Sequence, residues 1–193
     1  MSGRSLDDWL RAVVETPGLT ALSLEEARRV LLEDSLRAVE LVGAHDGAIV
    51  DVGSGGGAPG LPLAYALPHR EVVLVEAERR KCEFLERWAP PNARVVWGRA
   101  EEQETEWAGV ATAKALAAPT VAAEWCLPLV RTGGIAVLWV GESADADAVE
   151  RAAGMLGAQR EESEQGLIVL RKTTTTPAGF PRRTGVAKRR PLA

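Results

Sequence analysis

The sequence predicts an α/β protein: a Rossmann-like, mostly parallel central sheet flanked by helices, with a short helical extension at the N-terminus. Three observations predict it. After Gly43, short runs rich in β-branched residues alternate with helical stretches, the pattern of a parallel sheet. The first of these runs enters a glycine-rich turn that opens directly into a helix. The chain has 193 residues, 46% of them hydrophobic, which suits one sizeable core. One domain over residues 1–193 is therefore expected, made of N-terminal helices (1–43), a Rossmann-like core (44–172) and a basic C-terminal tail (173–193).

The elements follow in order. Ser5-Leu6-Asp7-Asp8 and Ser23-Leu24-Glu25-Glu26 have the spacing of capping boxes and start two helices. The second, over about Leu24 to Val42, spaces Ala27, Leu31, Leu32, Leu36, Val39 and Val42 along one face. Strands are expected at Ala48–Val52, Glu71–Glu76, Arg94–Trp97, Val110–Ala113, Ile135–Val140 and Leu167–Arg171. Helices are expected between them at Leu61–Leu67, Arg79–Trp88, Val121–Val130 and Ala144–Leu156.

Composition excludes several classes. Cys82 and Cys126 stand in separate apolar segments and in no Cys/His grouping, so neither a disulfide framework nor a metal site is expected. No apolar run reaches the length of a membrane helix, and Arg4, Asp7 and Asp8 are unlike a signal-peptide core; a cytoplasmic protein is expected. The net charge of -4 conceals an asymmetry. From Arg171 to Ala193 there are seven cations and no acid, leaving sixteen cations against twenty-seven acids before it. A basic terminal segment on an acidic body is a footprint of polyanion binding; a merely solvated tail is the alternative.

The most informative segment is Ile49-Val50-Asp51-Val52-Gly53-Ser54-Gly55-Gly56-Gly57-Ala58-Pro59-Gly60. Lacking a Cβ, its glycines permit positive φ and close approach of a ligand, and the helix start behind them favours a ligand's electronegative end. The next strand ends at Glu76, where an acid can accept both hydroxyls of a ribose. Ligands of open α/β sheets bind outside the carboxyl ends of the strands, so loop and acid converge. Gly55-x-Gly57-x-x-Gly60 also matches a dinucleotide loop, so the glycines alone leave nicotinamide and S-adenosylmethionine both open. Asp51, two residues before the first glycine, favours S-adenosylmethionine, with the acid fixing the loop or a methionine amino group. No second domain is expected to supply a dehydrogenase's substrate site. A nicotinamide oxidoreductase, a loop without ligand and a non-catalytic RNA-binding protein remain as alternatives.

Around this loop the chain resembles the bacterial small-subunit ribosomal RNA guanine-N7 methyltransferases, also called glucose-inhibited division protein B. The likeness spans roughly Thr20 to Leu192. It rests on Glu33-Asp34-Ser35-Leu36, the glycine loop through Leu63, Lys81-x-x-Phe84-Leu85, Gly98-Arg99-Ala100-Glu101-Glu102, Thr112-Ala113-Lys114-Ala115 and Leu127-Pro128-Leu129. Its most specific string is Phe180-Pro181-Arg182-Arg183-x-Gly185-x-x-Lys188-x-x-Pro191-Leu192. The resemblance implies a class I S-adenosylmethionine-dependent methyltransferase fold and methyl transfer to nitrogen 7 of a guanine in 16S ribosomal RNA. The RNA is expected to be free, in an assembly intermediate or in the intact subunit, and the enzyme to be a monomer. It implies cofactor contacts at Gly53, Ala58, Ala100, Glu101 and Lys114, beside Asp51, Gly55 and Glu76 read from the loop and strand ends. The tail cations Arg182, Arg183 and Lys188 are expected to serve RNA or to order the edge of the site; the alternative is that they pair with body acids and pin the terminus.

Departures from the family pattern are Lys114, where the family usually has arginine, Val140 before Gly141 in place of a lysine, and Gly18-Leu19-Thr20 in place of an asparagine-led motif. No catalytic base is assigned, because nitrogen 7 of neutral guanine carries an in-plane lone pair and the task is positioning. Bland readings serve the remaining residues. The six tryptophans read as core, His45 and His69 as surface, Glu101-Glu102-x-Glu104-x-Glu106 as a solvated acidic loop, and Asp145 with Asp147 as a helix start.

Overall fold

The computed structural model describes residues 5–193; Arg4, part of the reading of the chain's start, lies outside the described residues. Helix α1 (Leu6–Glu15) and helix α2 (Leu24–Ala27) begin at Ser5 and Ser23, each with a reciprocal capping box to Asp8 and Glu26. Strands β1 (Ile49–Val52), β2 (Val72–Glu76), β3 (Ala93–Trp97), β4 (Ala108–Lys114) and β5 (Val130–Trp139) are parallel. They are joined by α5 (Gly60–Ala66), α6 (Arg79–Trp88) and α7 (Pro119–Cys126). After α8 (Ala146–Met155) come β6 (Ala158–Glu161) and β7 (Leu167–Lys172), and α9 (Val186–Arg189) lies near the C-terminus.

The seven strands run in the order β3-β2-β1-β4-β5-β7-β6, with β7 antiparallel to both of its neighbours. This departs from the six-stranded order 3-2-1-4-5-6 of the dinucleotide fold by one inserted antiparallel strand. β1 and β2 are buried along their whole length, as apolar strands covered on both faces must be. One apolar layer, containing Trp125, Leu127 and Val149, packs on one face; Trp9, Leu61, Leu85 and Trp139 belong to the other.

Two expectations on regular structure are corrected. The single helix expected over Leu24 to Val42 is broken up. A π-helical stretch (Arg28–Glu33) leads into α3 (Asp34–Leu36), and a turn at Ala38, whose ψ of 4° departs from helical geometry, precedes α4 (Val39–Gly43). Ala27, Ser35, Ala38 and Val42 are buried along one face, while Leu36 and Val39, expected on it, are only half-buried. Strand β6 was missed, because Ala-Gln-Arg-Glu is polar, short and on the sheet edge, where only Ala158 is buried.

Candidate active site

The site starts from the turn after β1. Gly53, Gly55 and Gly57 have φ of +69°, +54° and +112°, so three residues in five lie in the left-handed region that glycine tolerates. The turn is bonded to β2: the Gly53 and Ser54 amides donate to the Val75 carbonyl at 2.8 and 3.1 Å. The Glu76 carboxylate takes one amide on each oxygen, Gly55 on Oε2 at 2.9 Å and Glu78 on Oε1 at 2.8 Å. It therefore clamps the glycine loop to the end of β2 and keeps lone pairs for a ligand.

Asp51 works from behind. Its Oδ2 accepts the Gly60 amide at 3.2 Å and its Oδ1 the Thr112 hydroxyl at 3.0 Å, tying β1 to α5 and β4. Burial pushes its carboxyl up to about 7, against the hydrogen bonds from Ser54, Thr112 and Gly60 that pull it down. Gly60 has no room for a side chain, since a Cβ there would lie 2.6 Å from Asp51 Oδ2 and 2.3 Å from Leu74 Cδ2. The loop is also stapled from above: the indole N–H of Trp9, fully buried on α1, donates to the Gly56 carbonyl at 2.8 Å.

Outside the carboxyl ends of β1, β2, β4 and β5 lies a cavity of about 780 Å³, within the range of small-molecule sites. Gly53, Gly55, Ala58, Glu76, Ala100, Glu101, Lys114 and Lys188 line it; Asp51, Arg182 and Arg183 do not. The cavity has two halves. Glycine loop, Glu76 and Ala100 form one, at the ends of β1 to β3. The other, at the ends of β4 and β5, is walled by Lys114 and Trp139 and roofed by Asp34 and Arg37 from the N-terminal helices. Lys114 ion-pairs with Asp34 and lies 5.8 Å over the Trp139 ring, while the Trp139 indole donates to the Asp34 carbonyl at 3.0 Å. Among the described residues no cluster of His, Cys, Asp or Glu could hold a metal.

The tail docks beside this cavity. Arg182 forks onto the buried Glu124 of α7, with Nε 2.5 Å from Oε1 and Nη2 on Oε2, and also donates to the Arg190 carbonyl at 2.8 Å. Glu101 accepts the Gly185 amide and Glu102 the Thr184 hydroxyl, each at 3.2 Å; Glu106 accepts the Thr176 amide. The acidic run read as a solvated loop is thus the tail's dock. Lys172 is buried with its ammonium on the Leu127 and Leu156 carbonyls and the Thr176 hydroxyl, and Arg171 pairs with Glu161. Arg183, Lys188, Arg189 and Arg190 remain exposed. Trp97, read as core, is 62% exposed with the Arg79 guanidinium 5.5 Å from its ring, because β3 is the edge strand.

Residues 10–169 match the family model for rRNA small subunit methyltransferase G. The chain belongs to this family. Ribosomal RNA small subunit methyltransferase G of Synechococcus elongatus is 38% identical, the match covering 76% of this chain and 69% of that protein. The namesake from Rubrobacter xylanophilus is 39% identical over 76% of this chain and 65% of its own length. Among solved structures, the T. thermophilus 16S rRNA N2 G1207 methyltransferase, in complex with AdoMet and guanosine, superposes with a TM-score of 0.57. Its identity is 14%, over 77% of this chain and 41% of that one. The shared fold is that of class I S-adenosylmethionine-dependent methyltransferases.

For a member of the methyltransferase G family, the cavity's chemistry fits S-adenosylmethionine. Glu76 keeps acceptor lone pairs at the cavity wall, and an added Cβ at Gly55 would meet nothing nearer than the Gly53 carbonyl at 3.8 Å. The wall includes Trp125, whose buried Nε1–H has no acceptor among the described residues. Sequence reasoning missed Trp9, Asp34 and Trp139. Asp34 carried the one available signal, its place in the Glu33-Asp34-Ser35-Leu36 string; the tryptophans gave none, because core and site aromatics read alike.

Proposed function

We propose that the protein transfers a methyl group from S-adenosylmethionine to nitrogen 7 of a guanine in small-subunit (16S) ribosomal RNA. The observation that carries this is the Glu76 clamp on the glycine loop at one end of a cavity whose other end stays open past Lys114 and Trp139. A second, nucleobase-sized ligand has space beside the first. When bound, the cofactor supplies a methyl group made electrophilic by a positively charged sulfur.

The residues do the rest by positioning. Glu76 accepts the ribose hydroxyls; Gly53, Gly55 and Ala58 border the chain beyond; Ala100 and Glu101 stand where the adenine edge would be read. Asp51 holds the loop in shape without entering the cavity. Lys114, ion-paired with Asp34, is the cation of the half at β4 and β5. Nitrogen 7 needs no proton removed, so the rate comes from alignment in a pocket walled by Leu19, Leu116, Trp139 and Val140, which exclude water. Exposed Arg183 and Lys188 are free to reach phosphate, whereas Arg182 orders the site's edge through Glu124. The proposal includes action in the cytoplasm, as a monomer, on the RNA or its assembly intermediate. Mass spectrometry of small-subunit RNA for 7-methylguanosine, with and without the gene product, tests the reaction, and calorimetry with S-adenosylhomocysteine tests the cofactor. RNA without a gain in 7-methylguanosine overturns the proposal.

A further inference from the structure

We propose that the Asp34 carboxylate reads the Watson–Crick edge of the target guanine. This rests on the reading of the protein as a guanine methyltransferase and names the residue that would make it specific for that base. A duplex or stacked base must be turned out of its helix to reach a cavity of this kind, and a turned-out base is read along its Watson–Crick edge. Guanine offers two adjacent donors there, N1–H and N2–H2, a fork that a carboxylate accepts in parallel as it accepts a guanidinium.

Among the described residues, one acid in the cavity wall is placed for this. Glu76 stands at the glycine loop, in the half of the cavity read as the cofactor's, and Glu101, on the same side, accepts the Gly185 amide. Asp34 lies in the half formed by β4 and β5, away from the glycine loop. Its position is set from three sides. The π-helical stretch ahead of it feeds directly into its turn, and the Trp139 indole holds its carbonyl at 3.0 Å. Arg37 Nη1 sits on Oδ1 at 3.0 Å and Lys114 Nζ on Oδ2. Each oxygen has one partner and retains a second lone pair, and the side chain is 29% exposed, so it is immobilised yet accessible.

Nitrogen 7 lies across the ring system from N2, so a base held by its N1/N2 edge under the helical roof turns nitrogen 7 away from Asp34, toward the half that takes the cofactor. Adenine would bring the lone pair of its own N1 against the carboxylate, an unpaired repulsive contact that rejects it. The competing account is a strut: Asp34 and Lys114 would merely tie the N-terminal helices to β4.

Nucleoside binding to the full-length protein, saturated with S-adenosylhomocysteine and followed by saturation-transfer NMR, separates the two. Guanosine is expected to bind at least about tenfold more tightly than inosine, which lacks N2, and than 1-methylguanosine, which lacks N1–H. In Asp34→Asn the preference for guanosine over inosine should shrink to within about twofold while affinity for S-adenosylhomocysteine changes no more than that. Wild-type protein that binds the three nucleosides alike, or does not bind guanosine, overturns the assignment without recourse to any variant. So does an Asp34→Asn protein that keeps its preference, or one that loses S-adenosylhomocysteine instead, which would give the acid to the cofactor. Formation of 7-methylguanosine in RNA, assayed on the same wild-type preparation, keeps the failures apart. Its absence with the guanosine preference intact refutes the nitrogen 7 reading alone, and its presence without the preference refutes the Asp34 contact alone.

Discussion

Replacing Gly53 by alanine adds one methyl group, and the structure says where it goes. At φ +69° an ideal Cβ lies 2.2 Å from Leu116 Cδ1, with Cγ and Cδ2 at 3.2 and 3.3 Å, so the whole end of the leucine must leave. Holding alanine in the left-handed region costs about 1–2 kcal/mol, and the displaced leucine adds about 1–3 kcal/mol of overpacking. The sum, about 2–5 kcal/mol, is below the total stability of most domains, so the variant folds. For a chain of this size each kcal/mol lowers the midpoint by about 2–4 °C, hence a fall of about 4–20 °C. Leu116 also lines the cavity, so its displacement should weaken S-adenosylhomocysteine by at least about tenfold, the equivalent of one lost charged hydrogen bond. Thermal melts and calorimetry on the same preparation read both effects. A variant that melts with the wild type and binds S-adenosylhomocysteine as tightly would refute the assignment of this glycine to the cofactor loop.

Glu76→Gln keeps one carbonyl oxygen but turns the other acceptor into a donor facing an amide, so S-adenosylhomocysteine affinity should fall about 10- to 100-fold by calorimetry; an unchanged constant would remove Glu76 from the site. Arg182→Ala strands Glu124, whose side chain is 2% exposed, and should destabilise the protein by about 3–5 kcal/mol without altering the salt dependence of RNA binding. Arg183→Ala should do the reverse, leaving the melt intact and lowering the salt slope by about 0.7–0.9. Equal slopes for both would send the tail's cations to pinning. Asp51 is protonated more readily in the fold, at about 7, than the ordinary 3.8, so the native state binds the extra proton and loses stability as pH rises through that window. Relative to Asp51→Asn, the wild type should lose up to about 4 kcal/mol between the two values. Denaturant titrations that run parallel from acid to neutral would show the carboxyl to be ordinary.

How much was legible follows from how local each signal is. The β1 turn was read correctly because backbone sterics at Gly53, Gly55 and Gly57 act within a few residues, and the helix at Arg79–Trp88 because its apolar spacing lies within one element. Strand β6 escaped because an edge strand with one buried residue has no pattern to display. Trp97 was misassigned for a related reason: alternation along a strand does not reveal that the strand is last in the sheet. The acids at Glu101, Glu102 and Glu106 looked solvated because their partners, Gly185, Thr184 and Thr176, lie 70 to 84 residues away.

By itself the sequence determined the α/β class, the glycine-rich turn with Glu76 at the neighbouring strand end, and the likeness that led to the family, since all of these are carried by short strings and periodicities. Tertiary structure alone decided the rest. It turned β7 antiparallel, sent Asp51 behind the loop and left Glu76 in front of it, and set Arg182 on Glu124 rather than on solvent. It brought Asp34 across 80 residues to Lys114. An ion pair or a cavity wall belongs to the meeting of distant segments, and no property of either segment alone encodes which face will meet the other.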